Sequence, residues 1–183
     1  MKCIISDENQ LVEKIKLINP KIVGIDGIDG VGKSTIIAPL ISKIIKARII
    51  NIDKYLNEKQ GKYFQEINFK KIKQDINQCL GTDNLIIEGV LLLKILKKID
   101  LKVDCLIYVS DNVWVYDWCE YGPYYQRKLE EITKDVEKKT DKVSKALRTY
   151  TKPYKLDGFR KEIYHYTYEY MPFNSANIIF IKQ

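Results

Sequence analysis

Four residues at fixed spacing carry the clearest chemical signal in the chain. Gly27, Gly32, Lys33 and Ser34 form G-x-x-x-x-G-K-S within the run KIVGIDGIDGVGKST. Each residue type has a task at a polyphosphate. Glycines allow positive φ and let backbone N–H groups approach phosphate oxygens. Lys33 offers a point charge to β- and γ-phosphates, and Ser34 offers a hydroxyl to Mg²⁺. A helix opening at Gly32 would aim its positive end at the anion. The pattern implies a phosphate-binding loop made of Gly27, Ile28, Asp29, Gly30, Val31, Gly32, Lys33, Ser34 and Thr35. Thr35 reads as a helix residue or an outer hydroxyl, not as the metal ligand.

A phosphate loop does not name a reaction, but the acids beyond it narrow the choice. Asp53 follows the apolar run RIINI. There a carboxylate would face the γ-phosphate of ATP, take the proton of an attacking hydroxyl and aim its oxygen in line. The bland alternative is an aspartate that starts a turn. Glu88 ends the apolar run LIIE. It could hold Mg²⁺ together with Ser34, or orient the acceptor, since an acid buried without a partner is costly. Asp29 reads as a loop-shaping residue and Asp26 as another magnesium-side acid. Arginine is the usual clamp on a transferring phosphoryl group. Arg127 is the first choice, ahead of Arg148 and Arg160. Lys33, Asp53 and Arg127 are thus the catalytic candidates, with ATP and Mg²⁺ as cofactors and a small-molecule hydroxyl as acceptor. Asp53, Tyr55 and Glu88 are the candidates for holding that acceptor.

These residues need a scaffold that brings them together. Leu11, Ile15 and Ile18 share one face of a helix predicted over Glu8–Ile18. Strands are predicted at Lys21–Asp26, Arg48–Ile52, Leu85–Glu88, Cys105–Val109 and Asn177–Ile181. Helices are predicted between them at Gly32–Ile45, Ile67–Leu80 and Leu91–Lys98, with Pro39 an awkward interior residue. Strands separated by helices pair in parallel with right-handed crossovers. Strands without alternation suit a sheet covered on both faces. Ligands of such sheets bind beyond the carboxyl ends of the strands, where Asp26, Asp53 and Glu88 fall. The expected fold is therefore α/β: a P-loop NTPase three-layer sandwich with a five-stranded parallel sheet, helices on both faces and a helical lid insert. It is one domain over residues 1–183, with an N-terminal extension of about 1–20 and a lid-like insert of about 111–155.

Composition limits the alternatives. A chain of 183 residues can bury a real core, and 45% apolar with 30% charged residues is ordinary for a globular protein. No apolar run approaches a membrane span, and the N-terminus lacks the pattern of a secretory signal. Cys3, Cys79, Cys105 and Cys119 are scattered, and the single His165 completes no zinc spacing. A reduced, cytoplasmic protein is expected, with Cys105 a small core residue. The net charge of +7 comes from 31 basic and 24 acidic side chains, mostly lysines spread along the chain. Arginines are neither clustered nor alternated with stacking aromatics, which argues against nucleic acid as partner. No membrane is expected as a partner, and a homo-oligomer is left open.

Taken together, the loop GIDGVGKST, the acid in IDKYL, the strand IIEGVLLL, the aspartate before the apolar strand in VDCLIYVS and the closing YMPFNSANIIFI resemble the uridine kinase-like branch of P-loop nucleoside kinases. The likeness runs over most of residues 21–181. It implies a five-stranded parallel sheet of order 2-3-1-4-5, Asp53 as general base, and Glu88 near the metal and acceptor. Where that family carries an arginine-rich lid, this chain has VWVYDWCEYGPYYQRK with Arg127. The loop alone is also similar to that of thymidylate kinase.

The insert and the aromatics leave alternatives open. Leu129, Ile132, Val136, Val143 and Leu147 lie on one helical stripe of Gln126–Leu147, which suits a docked helix or part of a lid. Tyr55, Trp114 and Trp118 could stack a planar acceptor, although aromatics at helical spacing are more often core. IYHYTYEY reads as a helix leading into Pro172. The preferred function is transfer of the γ-phosphate of ATP to a hydroxyl of a nucleoside or similar metabolite. The alternatives are a monophosphate kinase of thymidylate kinase type and a P-loop ATPase or nucleotide-binding protein without an acceptor. The Asn-Lys-x-Asp reader of GTPase switches and the Leu-Ser-Gly-Gly-Gln signature of transporter ATPases are both absent.

Overall fold

The computed structural model describes residues 3–57, 62–110 and 158–182. The insert of about 111–155, its stripe at Gln126–Leu147, and Trp114, Trp118, Arg127 and Arg148 lie outside the described residues.

Six parallel strands form one sheet: β1 (Cys3–Ile5), β2 (Ile22–Gly27), β3 (Ala47–Asn51), β4 (Asn84–Glu88), β5 (Cys105–Ser110) and β6 (Ile178–Ile181). Their order across the sheet is β1-β6-β5-β2-β4-β3. The expectation of five strands is corrected to six, and the order across the whole sheet departs from 2-3-1-4-5 by the one strand added at its edge. The added strand is Cys3–Ile5, which pairs with β6 in the register Cys3↔Ile178 at one edge. It is three residues long with only Ile5 buried, too short to show a period. It also draws the expected N-terminal extension into the sheet. Without β1, the remaining strands stand side by side as β3-β4-β2-β5-β6.

Helices cover both faces. α1 (Glu8–Ile18) and α2 (Ala38–Ile45) lie on one face, where Leu11, Ile15 and Ile41 meet Val23, Ile25, Ile86 and Ile107. α3 (Tyr63–Glu66), α4 (Phe69–Cys79), α5 (Leu92–Ile99), α6 (Gly158–Tyr170) and α7 (Pro172–Ser175) contribute to the other. There Ile72, Ile76, Ile95 and Tyr166 meet Leu85, Ile87 and Leu106. Leu85 and Ile87 face one layer while Ile86 faces the other, so both surfaces of β4 are apolar. That double burial explains a strand that reads as a continuous apolar run.

Local chemistry sets the boundaries. The Asp7 carboxylate accepts from the Gln10 N–H at 3.0 Å and starts α1. Asn19, at φ 47°, ends it with its N–H on the Ile15 carbonyl at 2.9 Å. Asp104, the acid preceding β5, accepts from the N–H groups of both Lys21 and Ile22 at 2.9 Å and so pins the start of β2. The helix expected over Gly32–Ile45 is two pieces: a π-helical turn at Lys33–Ile37, then α2. Pro39 lacks an N–H, so an α-ladder cannot run through it unbroken. It sits in the first turn of α2, where no such donor is needed. The helix expected from Ile67 begins at Phe69 because the Asn68 side chain caps it at the Lys71 N–H. Among the described residues, Cys3, Cys79 and Cys105 are free thiols, and Cys105 is fully buried in the core. Among the described residues no helix is long and apolar enough to cross a membrane.

Candidate functional site

The carboxyl ends of β2, β3 and β4 meet at one edge of the sheet. β2 leads directly into the glycine loop. Gly27 adopts φ 145° with its α-carbon pressed on β5, so that a Cβ there would lie 2.2 Å from the Val109 carbonyl oxygen. Gly30 and Gly32 have φ of 79° and 90°. The glycines thus occupy conformations that L side chains resist. Val31 is buried in the core, while Ile28, Asp29 and Gly30 are exposed. The loop is therefore anchored at its ends and open at its rim.

Lys33 curls back beneath that rim. Its ammonium donates to the carbonyl of Gly27 at 3.0 Å and of Ile28 at 2.6 Å. Burial lowers its pKa, and the charges of Asp26, Glu88, Asp29 and Asp53 oppose that shift. The ammonium is thus buried, bonded to two loop carbonyls and set among acids.

Ser34 is the second residue of the π-helical turn, and its hydroxyl donates to Glu88 Oε2 at 2.8 Å. Glu88 is 1% exposed. Burial raises its pKa, assisted by the nearby Asp53 charge and opposed by Ser34, Lys33 and Asn51. The β3–β4 register places Asn51 opposite Glu88. The Asn51 amide donates to Glu88 Oε1 and, at 3.3 Å, to the Ser34 hydroxyl. Its carbonyl oxygen accepts from the Asp53 N–H at 2.8 Å and sets the turn that presents Asp53. Ser34, Glu88, Asn51 and Asp53 therefore form one network.

Asp53 itself is exposed. One carboxylate oxygen accepts from the Tyr63 hydroxyl at 2.5 Å, and the other has no hydrogen-bond partner among the described residues. Tyr55 lies apart from this cluster. Its hydroxyl donates to Asp75 of α4 at 2.8 Å, and the Lys71 ammonium sits 5.9 Å from its ring centre. Thr35 is exposed on the first turn. Arg160 lies on α6, within Gly158–Tyr170.

Asp26 departs from its expected place on the magnesium side. Strand alternation turns it toward α5 and α6, opposite the face on which Ile25 packs. It is 1% exposed, accepts from the Gly27 N–H at 2.8 Å and takes the Tyr166 hydroxyl on its other oxygen. Burial pushes its pKa up to about 6 against the opposing pull of these donors and of Lys33.

The sequence reading passed over Asn51, Tyr63 and Tyr166. Asn51 had a signal, a polar residue at the end of an apolar strand. Tyr63 and Tyr166 had none, because only the fold brings them to the two aspartates.

Ser34 and Glu88 offer the hard oxygen donors that Mg²⁺ favours, and Asn51 holds their geometry. Among the described residues no three His, Cys, Asp or Glu side chains gather as a metal cage.

No family model matches the chain, and no curated protein matches it. Among solved structures, the chain is similar to that of a possible uridine kinase from Bacillus stearothermophilus. The two are 13% identical, with a TM-score of 0.56, over 94% of this chain and 96% of the other. At that identity the likeness is one of fold.

Proposed function

We propose that the chain is an ATP-dependent phosphotransferase that moves the γ-phosphate of ATP to a hydroxyl of a small molecule, a nucleoside or similar metabolite. The observation that carries this reading is the continuous network from Ser34 through Glu88 and Asn51 to Asp53, beside the Lys33 ammonium. An exposed carboxylate held at that spot can orient and deprotonate an attacking hydroxyl.

In this reading the loop amides and Lys33 hold the β- and γ-phosphates. Ser34 and Glu88 would hold Mg²⁺, which when bound neutralises charge on the bridging phosphate oxygens. The free Asp53 oxygen orients the acceptor hydroxyl and takes its proton. A bond forms from the acceptor oxygen to the γ-phosphorus, the bond to the ADP oxygen breaks, and its electrons leave with ADP. The similarity in fold to a possible uridine kinase agrees with a nucleoside acceptor.

The test is ATP consumption with Mg²⁺ and a panel of nucleosides, pantothenate-like alcohols and nucleoside monophosphates. Acceptor-dependent ADP formation with a nucleoside or alcohol is expected. Turnover confined to monophosphates would favour the thymidylate kinase type, and hydrolysis indifferent to acceptor would favour an ATPase.

A further inference from the structure

α6 does more than cover the sheet. Tyr166 lies on its inner side, 4% exposed. Its hydroxyl accepts from the Leu93 N–H at 3.0 Å and donates to Asp26. With one bond received and one given, the hydroxyl has a fixed direction. Asp26 passes that order on: its other oxygen holds the Gly27 N–H, and the Gly27 carbonyl receives the Lys33 ammonium. Three hydrogen bonds thus connect α6 to the lysine of the phosphate loop.

The first turn of the same helix reaches the acceptor side. The Phe159 ring lies 5.2 Å from the Tyr63 ring, centre to centre. Glu162 Oε1 accepts from the Phe64 N–H at 3.2 Å. These contacts seat the start of α3, and the Tyr63 hydroxyl there holds Asp53.

We propose that Tyr166 and Tyr63 are positioning residues, and that α6 sets the spacing between the phosphate loop and the acid facing the acceptor by holding both. The roles assigned to the two ends rest on the phosphotransferase reading; the positioning itself does not.

Tyr166→Phe and Tyr63→Phe each remove one hydroxyl and keep the ring. The probes are Mg–ATP binding by calorimetry and ATP consumption with uridine or whichever panel compound is turned over. Loss of a hydrogen bond to a carboxylate corresponds to about a tenfold effect. Tyr166→Phe is expected to raise Kd for Mg–ATP about tenfold. Tyr63→Phe is expected to leave that Kd within about twofold and to lower kcat about tenfold. Phe159→Leu, which loosens Tyr63 without touching Asp53, should follow Tyr63→Phe in kind. Equal losses in both tyrosine variants, or parental behaviour in both, would overturn the proposal.

A second readout needs no nucleotide. In ligand-free protein, Tyr166→Phe should move the carboxyl ¹³C resonance of Asp26 alone, and Tyr63→Phe that of Asp53 alone. If both resonances stay in place the positioning role is wrong, whatever the protein binds. If they move as stated while the parent binds no Mg–ATP, the phosphotransferase reading fails and the positioning role stands.

Discussion

Gly27→Ala tests the fit between the glycine loop and the sheet. The new methyl carbon would stand 2.2 Å from the Val109 carbonyl oxygen. A relaxed carbon–oxygen contact needs about 3.3 Å, so roughly 1 Å must be found. The obstacle is backbone in the neighbouring strand, and Gly27 is the register partner of Val109, so the gap opens only by prying β2 from β5. Overpacking of this kind costs about 1–3 kcal/mol. Holding alanine at φ 145° adds about 1–3 kcal/mol. A weakened ladder bond adds about 1 kcal/mol. The total of about 3–7 kcal/mol is a large share of the roughly 5–15 kcal/mol that stabilises a typical protein. For a chain of this length, each kcal/mol lowers Tm by about 2–4 °C, so a fall of at least about 6 °C is expected. Gly30→Ala is the internal comparison. It also has positive φ, but nothing lies within 4 Å of its Cβ position, so only about 1 kcal/mol of strain remains. Thermal melts followed by circular dichroism decide the matter. If Gly27→Ala melts within about 4 °C of Gly30→Ala, the close approach to Val109 is not what that glycine serves.

Further outcomes follow from the network. Lys33→Ala should weaken Mg–ATP binding at least about a hundredfold by calorimetry, since the loop loses its cation. Asp53→Asn should spare Mg–ATP binding and lower turnover about 10²–10⁴-fold, and near-normal turnover would refute the general-base role. Asn51→Asp replaces the amide that donates to Glu88 with a like charge, costing about 1–3 kcal/mol. Added Mg²⁺ should raise its Tm more than the parent's, and equal shifts would argue against a metal at Ser34 and Glu88. Asp26 has its pKa raised from the ordinary 3.8 to about 6. The folded state therefore binds its proton more tightly than the unfolded chain. The associated stability is fully present below about pH 4 and is lost as pH rises through about 6. At about 1.4 kcal/mol per pH unit, the change is about 3 kcal/mol. Denaturant titrations across pH 4–7 should show this decline in the parent and its absence in Asp26→Asn.

The glycine loop was legible because its backbone takes positive φ at fixed positions, Gly27, Gly30 and Gly32. The apolar strands β2, β4 and β5 were legible because double burial leaves an uninterrupted run. β1 was not, because three residues with one buried side chain carry no period. Pro39 signalled a break but not its form, since a π-turn depends on where the Gly32 carbonyl finds its donors, Ile36 and Ile37. Asp26 was misjudged because proximity in sequence to the loop says nothing of which face of β2 a side chain leaves. Tyr166 stands 140 positions from its aspartate, a separation that no local pattern spans. Tyr55 had the right neighbourhood, but Asp75 lies one helix away and claims its hydroxyl.

The pairing of β1 with β6 also bears on how the polypeptide is made. Residues 3–5 leave the ribosome well before their ladder partner, which begins at Ile178. Until that segment emerges, β5 keeps an open margin and the first strand has nowhere to dock. The β1–β6 pairing is a long-range contact that forms only once both segments have emerged. A nascent chain stalled short of residue 178 would expose the β5 margin to chaperones or to another copy's strand.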